Sequence, residues 1–194
     1  MEQESLVQVF KVQGRDKLGR RLLRIIGKLF PAKITEQAVK KYLEERIFPE
    51  LGSKPFCVVY FHTNVRRSEN FPGISTIRSI YEAIPAAIRD NLEAVYFVHP
   101  GLRSRLFLAA FGLLLFSSGL YGKVRYVSRV EYLWERMRRG EVEVPEFVRE
   151  HDEELEDRPL MDYGLERDRL CSRSYDAPAM DISARSMYSL RRIS

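Results

Sequence analysis

Four short runs of mainly apolar residues have the length and composition of β-strands. They cover residues 20–26 (RRLLRII), 56–62 (FCVVYFH), 94–98 (AVYFV) and 124–127 (VRYV). The second and third runs are continuously apolar and rich in β-branched and aromatic residues, which is typical of strands buried on both faces. The pattern therefore predicts four strands, two of them fully buried.

A further candidate strand precedes the first of these runs. Residues 6–12 alternate loosely between apolar and polar positions, and residues 14–19 (GRDKLG) have the composition of a tight turn. We therefore predict a β-hairpin that joins residues 6–12 to residues 20–26.

Segments with the helical spacing of apolar residues lie between the strands. Thr35 is expected to cap a helix that extends to about Phe48, because its side-chain oxygen can accept a hydrogen bond from an amide of the first turn. Further helices are predicted for residues 74–84, 102–120 and 130–137. Strands that alternate with helices indicate an α/β fold with a mainly parallel or mixed sheet.

The most apolar stretch of the chain covers residues 106–121 (LFLAAFGLLLFSSGLY). A bilayer span needs about 20 apolar residues. This stretch is shorter and lies between two predicted strands, so we do not expect it to cross a membrane. It is interpreted either as a core helix that is apolar on nearly all sides, or as a helix with one face on the sheet and the other on a ligand or a membrane surface.

The composition changes in the last quarter of the chain. Residues 172–194 are rich in Ser and Arg and poor in aliphatic residues, which is typical of a disordered segment. We therefore predict one domain, residues 6–155, followed by a polar, disordered tail, residues 156–194. Four apolar residues near the end of the domain are expected to pack on its body: Val142, Val144, Phe147 and Val148.

The net charge of +5 is unevenly distributed along the chain. Residues 1–140 contain 24 Lys and Arg against 13 Asp and Glu, whereas residues 141–194 contain 8 against 14. A basic body followed by an acidic segment indicates an anionic partner, or a tail that folds back on the body. The basic residues are scattered and not interleaved with aromatic residues, so nucleic acid is not expected as a partner.

The N-terminal residues and the two cysteines indicate a cytoplasmic protein. The first residues, MEQESLVQVFKV, lack the basic and apolar regions of a secretory signal. Cys57 lies inside an apolar run and Cys171 in the polar tail, so no structural disulfide is expected.

Motifs of known catalytic, metal and cofactor sites do not occur in the sequence. His62, His99 and His151 show no metal-ligand spacing, and the chain contains no CxxC pair, nucleophile elbow, phosphate-binding loop or dinucleotide fingerprint. Cys57 is interpreted as a core residue, because a nucleophilic cysteine needs an accessible, electropositive setting. We therefore expect no catalytic residue, no metal and no cofactor, and a protein that is not an enzyme.

Four segments of the chain, in order, carry a resemblance to a known family. They are residues 14–33, 56–73, 88–108 and 120–137, in which the pieces VYFH, NLEAVYFVHP and GKVRYV are the specific ones. Residues 144–155 (VPEFVREHDEEL) match the closing segment of the same pattern. The sequence thus resembles the divergent CRAL-TRIO family, also called BCH-type domains, and within it the short stand-alone plant members.

This resemblance implies a mixed β-sheet flanked by helices, with an apolar cleft that a mobile gate helix closes. Residues 102–119 fall where the gate helix lies. By the alternation of strand residues, Tyr60 and His62 share one face of their strand, as do Phe97 and His99; one of the two pairs is expected to face the cleft. The residues expected to line the lipid pocket or the gate are Tyr60, His62, Phe97, His99, Phe107, Ala110, Phe111 and Leu114.

Two functions from different classes follow from the resemblance. The first is non-catalytic binding of a phospholipid, a phosphoinositide or another hydrophobic ligand, as a lipid sensor or a phosphatidylinositol-transfer-like protein that contacts a membrane surface transiently. Arg103, Arg105 and Lys123, which bracket the apolar helix, would then meet an anionic head group. The second is a protein-interaction scaffold that binds small GTPases or their regulators, such as GTPase-activating proteins.

Overall fold

A computed structural model describes residues 2–31, 33–66, 68–115 and 118–157, without the side chains of residues 2, 3 and 111–118. The predicted tail lies outside the described residues from position 158 onward, and Cys171 with it.

One five-stranded sheet forms the centre of the protein, with the strands in sequence order. The first two strands are antiparallel, and each later strand runs parallel to its neighbour. This mixed, mostly parallel sheet with flanking helices confirms the predicted α/β fold class. The strands are β1 (Phe10–Arg15), β2 (Arg21–Ile26), β3 (Phe56–Phe61), β4 (Leu92–Val98) and β5 (Val124–Val127).

Eight α-helices are present in the described residues. The helix after Thr35 continues through a π-helical segment, Leu43–Ile47, and a 3₁₀ segment, Val130–Glu135, follows β5. The α-helices are α1 (Glu2–Val9), α2 (Glu36–Tyr42), α3 (Phe48–Leu51), α4 (Ile74–Ala83), α5 (Ala86–Asp90), α6 (Leu102–Leu115), α7 (Ser118–Lys123) and α8 (Glu146–Asp157).

The predicted first strand is wrong in its position. Residues 6–9 belong to α1, and β1 begins only at Phe10. Leu6 and Val9 are both fully buried, and their spacing of three residues places them on one side of a helix. The hairpin itself is confirmed, because β1 and β2 pair as antiparallel neighbours.

The start of α2 confirms the predicted cap. The hydroxyl oxygen of Thr35 accepts a hydrogen bond from the amide of Ala38 at 3.3 Å. Replacing such a cap by alanine costs about 1 kcal/mol. The cap fixes the start of the helix that carries Val39 and Tyr42 into the core.

The sheet is covered on both faces, by different parts of the chain. One face, which includes Val59 and Phe61, packs against residues 130–148, where Val142, Val144 and Val148 are buried as predicted. The other face packs against helices α1 to α5 and α7. Within the described residues, no helix has the length and apolarity that crossing a membrane requires.

Candidate functional site

Three aromatic rings lie side by side on the face of the sheet that packs against α1 to α5 and α7, near the carboxyl ends of the parallel strands. Tyr60 is in register with Phe97, and Phe97 with Tyr126. The Tyr60 and Phe97 rings are stacked, with centroids 5.1 Å apart and an angle of 10° between their planes. Tyr126 meets Phe97 edge-on at 6.2 Å and is 42% exposed. We call these residues the aromatic row; it leads from the interior of the domain to its surface.

His62 follows β3 and closes the inner end of the aromatic row. Its ring lies 5.0 Å from the Phe97 ring and 5.7 Å from the Tyr60 ring. Burial lowers the pKa of His62 to about 4, so the imidazole is neutral at pH 7. Burial likewise raises the pKa of Tyr60 above its ordinary value, so its phenol keeps its proton.

A line of hydrogen bonds runs from Tyr60 through His62 to helix α6. The Tyr60 hydroxyl lies 3.3 Å from Nδ1 of His62, and the Ser104 hydroxyl lies 2.7 Å from Nε2. Gly27 makes room for this arrangement, because a Cβ atom there would stand 2.5 Å from the Tyr60 hydroxyl oxygen. Ser104 is thus a contact between α6 and the end of β3.

Helix α6 has apolar residues on the side that faces solvent as well as on the side that faces the domain. Leu106 is 60% exposed, and Ala109 and Ala110 are exposed beside it. Phe107 is half-buried. Ala110, a predicted pocket residue, therefore lies on the outer surface of the helix. The side chains of Phe111 and Leu114, also predicted for the pocket, lie outside the described residues.

The three basic residues predicted to meet a head group have different surroundings. Arg103 is exposed in the first turn of α6, and Lys123 is half-buried at the end of α7. Arg105 is partly engaged within the domain, since its Nε donates to the carbonyl of Pro100 at 3.1 Å. Its guanidinium also lies 5.9 Å from the centre of the Tyr126 ring.

His99 does not lie with Phe97, and the expectation that they share a face needs correction. His99 has a positive φ of 52°, which turns the chain after β4 and ends the alternation of sides. Its Nε2 lies 2.8 Å from Oδ1 of Asp152 in α8, and its ring lies 5.0 Å from the ring of His151. His99 therefore contacts the helix on the opposite face of the sheet.

His99 also contacts a hydroxyl, in an order that resembles a nucleophile, a base and an acid. The hydroxyl of Thr63 lies 2.8 Å from Nδ1 of His99, whose Nε2 faces Asp152. Thr63 is only 1% exposed and the His99 side chain likewise 1%, so a substrate cannot reach the hydroxyl. The arrangement is structural: it ties the ends of β3 and β4 to α8.

Two further observations concern the chemistry that the described residues can perform. Cys57 is fully buried, and burial raises the pKa of its thiol to about 11, which agrees with the predicted core role. In the part of the chain that the structure describes, no group of three or more His, Cys, Asp or Glu residues is arranged to hold a metal ion.

Sequence reasoning missed two residues of this site, Ser104 and Tyr126. Ser104 precedes Phe107 by three residues, so the helical spacing already placed a hydroxyl and a ring on one side of the helix. Tyr126 lies in a predicted strand, and its contact with Phe97 depends on the register of β4 and β5. That register could not be read from either strand alone.

Comparison with known protein families identifies one family whose sequence model matches most of the chain. The sequence model of the divergent CRAL/TRIO domain matches residues 19–154, which include every strand from β2 onward and helices α2 to α7. CRAL/TRIO domains in general bind hydrophobic ligands.

Relatives with known names support the same assignment. The chain is 30% identical over 150 residues to the protein GDAP2 homolog of Nematostella vectensis, which covers 76% of this chain and 29% of that protein. It is 29% identical over 140 residues to the GDAP2 homolog of Drosophila melanogaster, covering 72% of this chain and 25% of that protein. With ganglioside-induced differentiation-associated protein 2 of Xenopus tropicalis it shares 28% identity over 142 residues, covering 72% of this chain and 28% of that protein.

The chain thus spans roughly a quarter to three tenths of the length of these relatives. The segment matched by the family model holds strands β2 to β5, the aromatic row and helix α6. From the family match and this architecture together we conclude that the chain belongs to the divergent CRAL/TRIO domain family.

Proposed function

We propose that this chain is a non-catalytic, cytoplasmic lipid-binding module that holds a hydrophobic ligand between helix α6 and the aromatic row. A phospholipid is one candidate class of ligand. The family match supports binding of a hydrophobic molecule. The geometry supports the place, because α6 contacts both ends of the row, through Ser104 at His62 and through Arg105 at Tyr126.

The observation that carries the proposal is the apolar outer surface of α6. A leucine that stays 60% exposed leaves most of its hydrophobic contribution unused, out of about 2 kcal/mol for full burial. Ala109 and Ala110 extend the same exposed surface. A helix with this surface gains free energy when its outer side lies on a bilayer. We propose that this contact draws α6 from the sheet and opens the aromatic row to a ligand.

Basic residues near the ends of the apolar segment fit transient contact with an anionic membrane. Arg103 and Lys123 would each contribute about 1 kcal/mol at an anionic surface. Arg105 donates to the carbonyl of Pro100, so part of its hydrogen-bonding capacity is used within the domain.

Leu106→Asp is expected to reduce binding to phospholipid vesicles about tenfold or more. The substitution removes a leucine side chain that is 60% exposed on α6 and places a carboxylate where the helix would meet the bilayer. Co-sedimentation with vesicles of phosphatidylcholine and phosphatidylserine measures the effect. Because Leu106 is exposed, the midpoint temperature of thermal unfolding should change little.

Leu18→Asp provides the matched control. Leu18 is 77% exposed in the turn between β1 and β2, so this variant carries the same chemical change away from α6. We expect it to bind vesicles as the unmodified protein does. Equal binding by all three proteins would contradict the proposed role of α6.

Mass spectrometry of lipids extracted from the purified protein tests the bound ligand directly. A hydrophobic molecule present in stoichiometric amount supports the proposal. If the protein carries no lipid, binds no vesicles and captures small GTPases or their regulators instead, the scaffold function replaces it.

A further inference from the structure

The turn between β1 and β2 carries an exposed leucine in a fixed conformation. The carboxylate of Asp16 accepts hydrogen bonds from the amides of Leu18 and Arg20 at 2.9 and 2.8 Å, and from Nε of Arg20 at 2.6 Å. Asp16 is 6% exposed, whereas Leu18 is 77% exposed. The turn is thus fixed from inside the domain while its apolar tip is in water.

The segment of residues 136–141 lies beside this turn and forms one surface with it. Asp16 pairs with Met137 in an antiparallel bridge, and the amide of Lys17 donates to the carbonyl of Arg136 at 2.9 Å. Asp16 and Met137 are both buried. Because successive residues of an extended chain face opposite sides, the neighbours of these two residues face solvent.

Four basic residues stand in two opposed pairs on the outside of this bridge. The antiparallel register places Lys17 opposite Arg136 and Arg15 opposite Arg138, and all four are exposed. Among the described residues, the carboxylate of Glu141 accepts from the amide of Arg15, and none of the four basic side chains forms a salt bridge. Like charges that face each other across two strands destabilise the fold, and an anionic partner would relieve this repulsion.

We infer that the surface formed by residues 15–18 and 136–139, the basic surface, binds an acidic segment of a partner protein. Carboxylates of the partner lie against the opposed cations, and an apolar side chain of the partner lies against Leu18. Charge complementarity supports this partner, because Arg139 adds a further exposed cation and guanidinium groups bind carboxylates through two parallel hydrogen bonds. Since the turn is already fixed, binding requires little ordering of the chain.

The basic surface lies at the opposite end of the sheet from the start of α6. The turn precedes β2 at its amino end, whereas α6 follows the carboxyl end of β4, and the two strands run in the same direction. A strand of this length measures about 20 Å. A domain that contacts a bilayer through Leu106 therefore leaves the basic surface accessible to a protein. The inference goes beyond the proposed lipid binding and does not depend on it.

Fluorescence anisotropy with labelled peptides tests this inference on the full chain, at an ionic strength of about 0.15 M. The acidic peptide consists of glutamates around one central leucine, and its uncharged counterpart has glutamines in their place. We expect the acidic peptide to bind and the uncharged one not to bind. Lys17→Glu combined with Arg138→Glu should weaken binding about tenfold or more, equivalent to about 1.4 kcal/mol or more.

Lys33→Glu combined with Lys41→Glu provides the matched control. It makes the same change in net charge at two exposed lysines outside the basic surface. Exposed charges farther away than about 8 Å are largely screened at this ionic strength, so we expect the control to bind the acidic peptide as the unmodified protein does. If both double variants lose affinity equally, the peptide responds to net charge alone and the inference is wrong.

Leu18→Ser separates the apolar contact from the attraction between charges. We expect it to weaken binding of the peptide with the central leucine severalfold, and to leave the affinity of an all-glutamate peptide unchanged. Equal affinities of Leu18→Ser and the unmodified protein for the leucine peptide would contradict the proposed contact with Leu18.

Lys17→Glu alone reports on the opposed charges. It places a carboxylate opposite Arg136, so we expect the midpoint temperature of thermal unfolding to rise by about 2 °C while the affinity for the acidic peptide falls. A lower midpoint temperature would show that the opposed cations do not repel each other, and would count against the inference.

The remaining outcomes identify other occupants of the basic surface. If the acidic peptide does not bind but the variant with Lys17→Glu and Arg138→Glu loses binding to vesicles of phosphatidylcholine and phosphatidylserine, the occupant is a membrane. If the unmodified chain sediments as a salt-sensitive oligomer and this variant as a monomer, the occupant is a second copy of the chain. Either result overturns the inference of an acidic partner protein.

Discussion

Asp152→Ala is expected to lower the free energy of unfolding by about 3 kcal/mol. Oδ1 of Asp152 accepts hydrogen bonds from Nε2 of His99 at 2.8 Å and from the amide of Val130 at 2.9 Å. Alanine leaves both donors without an acceptor in an environment where the His99 side chain is 1% exposed. Each unsatisfied buried group costs about 1–3 kcal/mol.

The pKa of Asp152 supports this role. Burial acts to raise it, but the hydrogen bonds from His99 and Val130 and the nearby charges outweigh burial, so the net direction is downward. The carboxylate is therefore ionised at pH 7 and binds its donors strongly. The same residue anchors α8 to the ends of β3 and β4, through His99 and Thr63.

Glu153→Ala is the matched control for this prediction. It removes the same charge from the next position of α8, but Glu153 is exposed, so the change should stay within about 0.5 kcal/mol. Thermal and urea unfolding measure both variants, and 3 kcal/mol corresponds to a fall of about 6–12 °C in the midpoint for a domain of this size. Equal effects of the two substitutions would show that the contact with His99 does not anchor α8.

Lowering the pH from 7 to 5 is expected to decrease the protection of the α6 amides from hydrogen exchange about twentyfold. We call the state in which Ser104 of α6 contacts His62 the closed state; in it, burial lowers the pKa of His62 to about 4. When α6 lifts, the ring meets water and its pKa returns to about 6.5. At pH 5, His62 therefore binds a proton in the open state, in which α6 has lifted, but remains neutral in the closed state.

The sign of the effect follows from this difference in pKa. A histidine whose pKa is lowered in the closed state stabilises that state fully above about pH 6.5, and the contribution is lost as the pH falls toward 4. The groups in contact with His62 do not titrate in this range in the opposite sense: burial raises the pKa of Tyr60, and Phe97 and Ser104 do not titrate. On α6, Ser104 is flanked in sequence by Arg103 and Arg105, and Arg105 donates to the carbonyl of Pro100.

Hydrogen exchange followed by mass spectrometry measures the effect, with protection factors corrected for the intrinsic pH dependence of exchange. Residues 105–110 report on α6 and the amides of β3 serve as the internal reference. His62→Phe is the control, since it cannot bind the proton and should lose the pH dependence in α6. A dependence that persists in His62→Phe would assign it to another group, such as His151.

Local patterns in the sequence were sufficient to predict the class of fold. The runs at residues 56–62 and 94–98 contain so many large apolar residues that they had to lie inside a sheet covered on both faces, and they form β3 and β4. Thr35 and the turn before β2 are local signals, and both were confirmed because they depend on neighbouring residues alone. The helical stretch after β4 was predicted for the same reason.

Residues 6–9 were predicted as part of a strand, but they belong to a helix, because two periodicities were present in one short segment. Leu6 and Val9 fit a helix, while the residues that follow alternate as a strand does. The helix and strand propensities of so few residues cannot decide between a helix and a strand. The fully buried positions of Leu6 and Val9 show that packing on the sheet made the choice in favour of α1.

The contacts between polar groups could not be predicted, because they depend on how the whole domain packs. The sequence placed His62 and His99 at the ends of neighbouring strands and gave them equivalent roles. A single positive φ at His99 turns its side chain toward Asp152, whereas His62 stays beneath Ser104. Strand register aligned Tyr60, Phe97 and Tyr126, and register depends on contacts between segments far apart in the chain. The sequence therefore determined the strands and the apolar helix, because these depend on local hydrophobicity, and the packing of the whole domain determined the site between them.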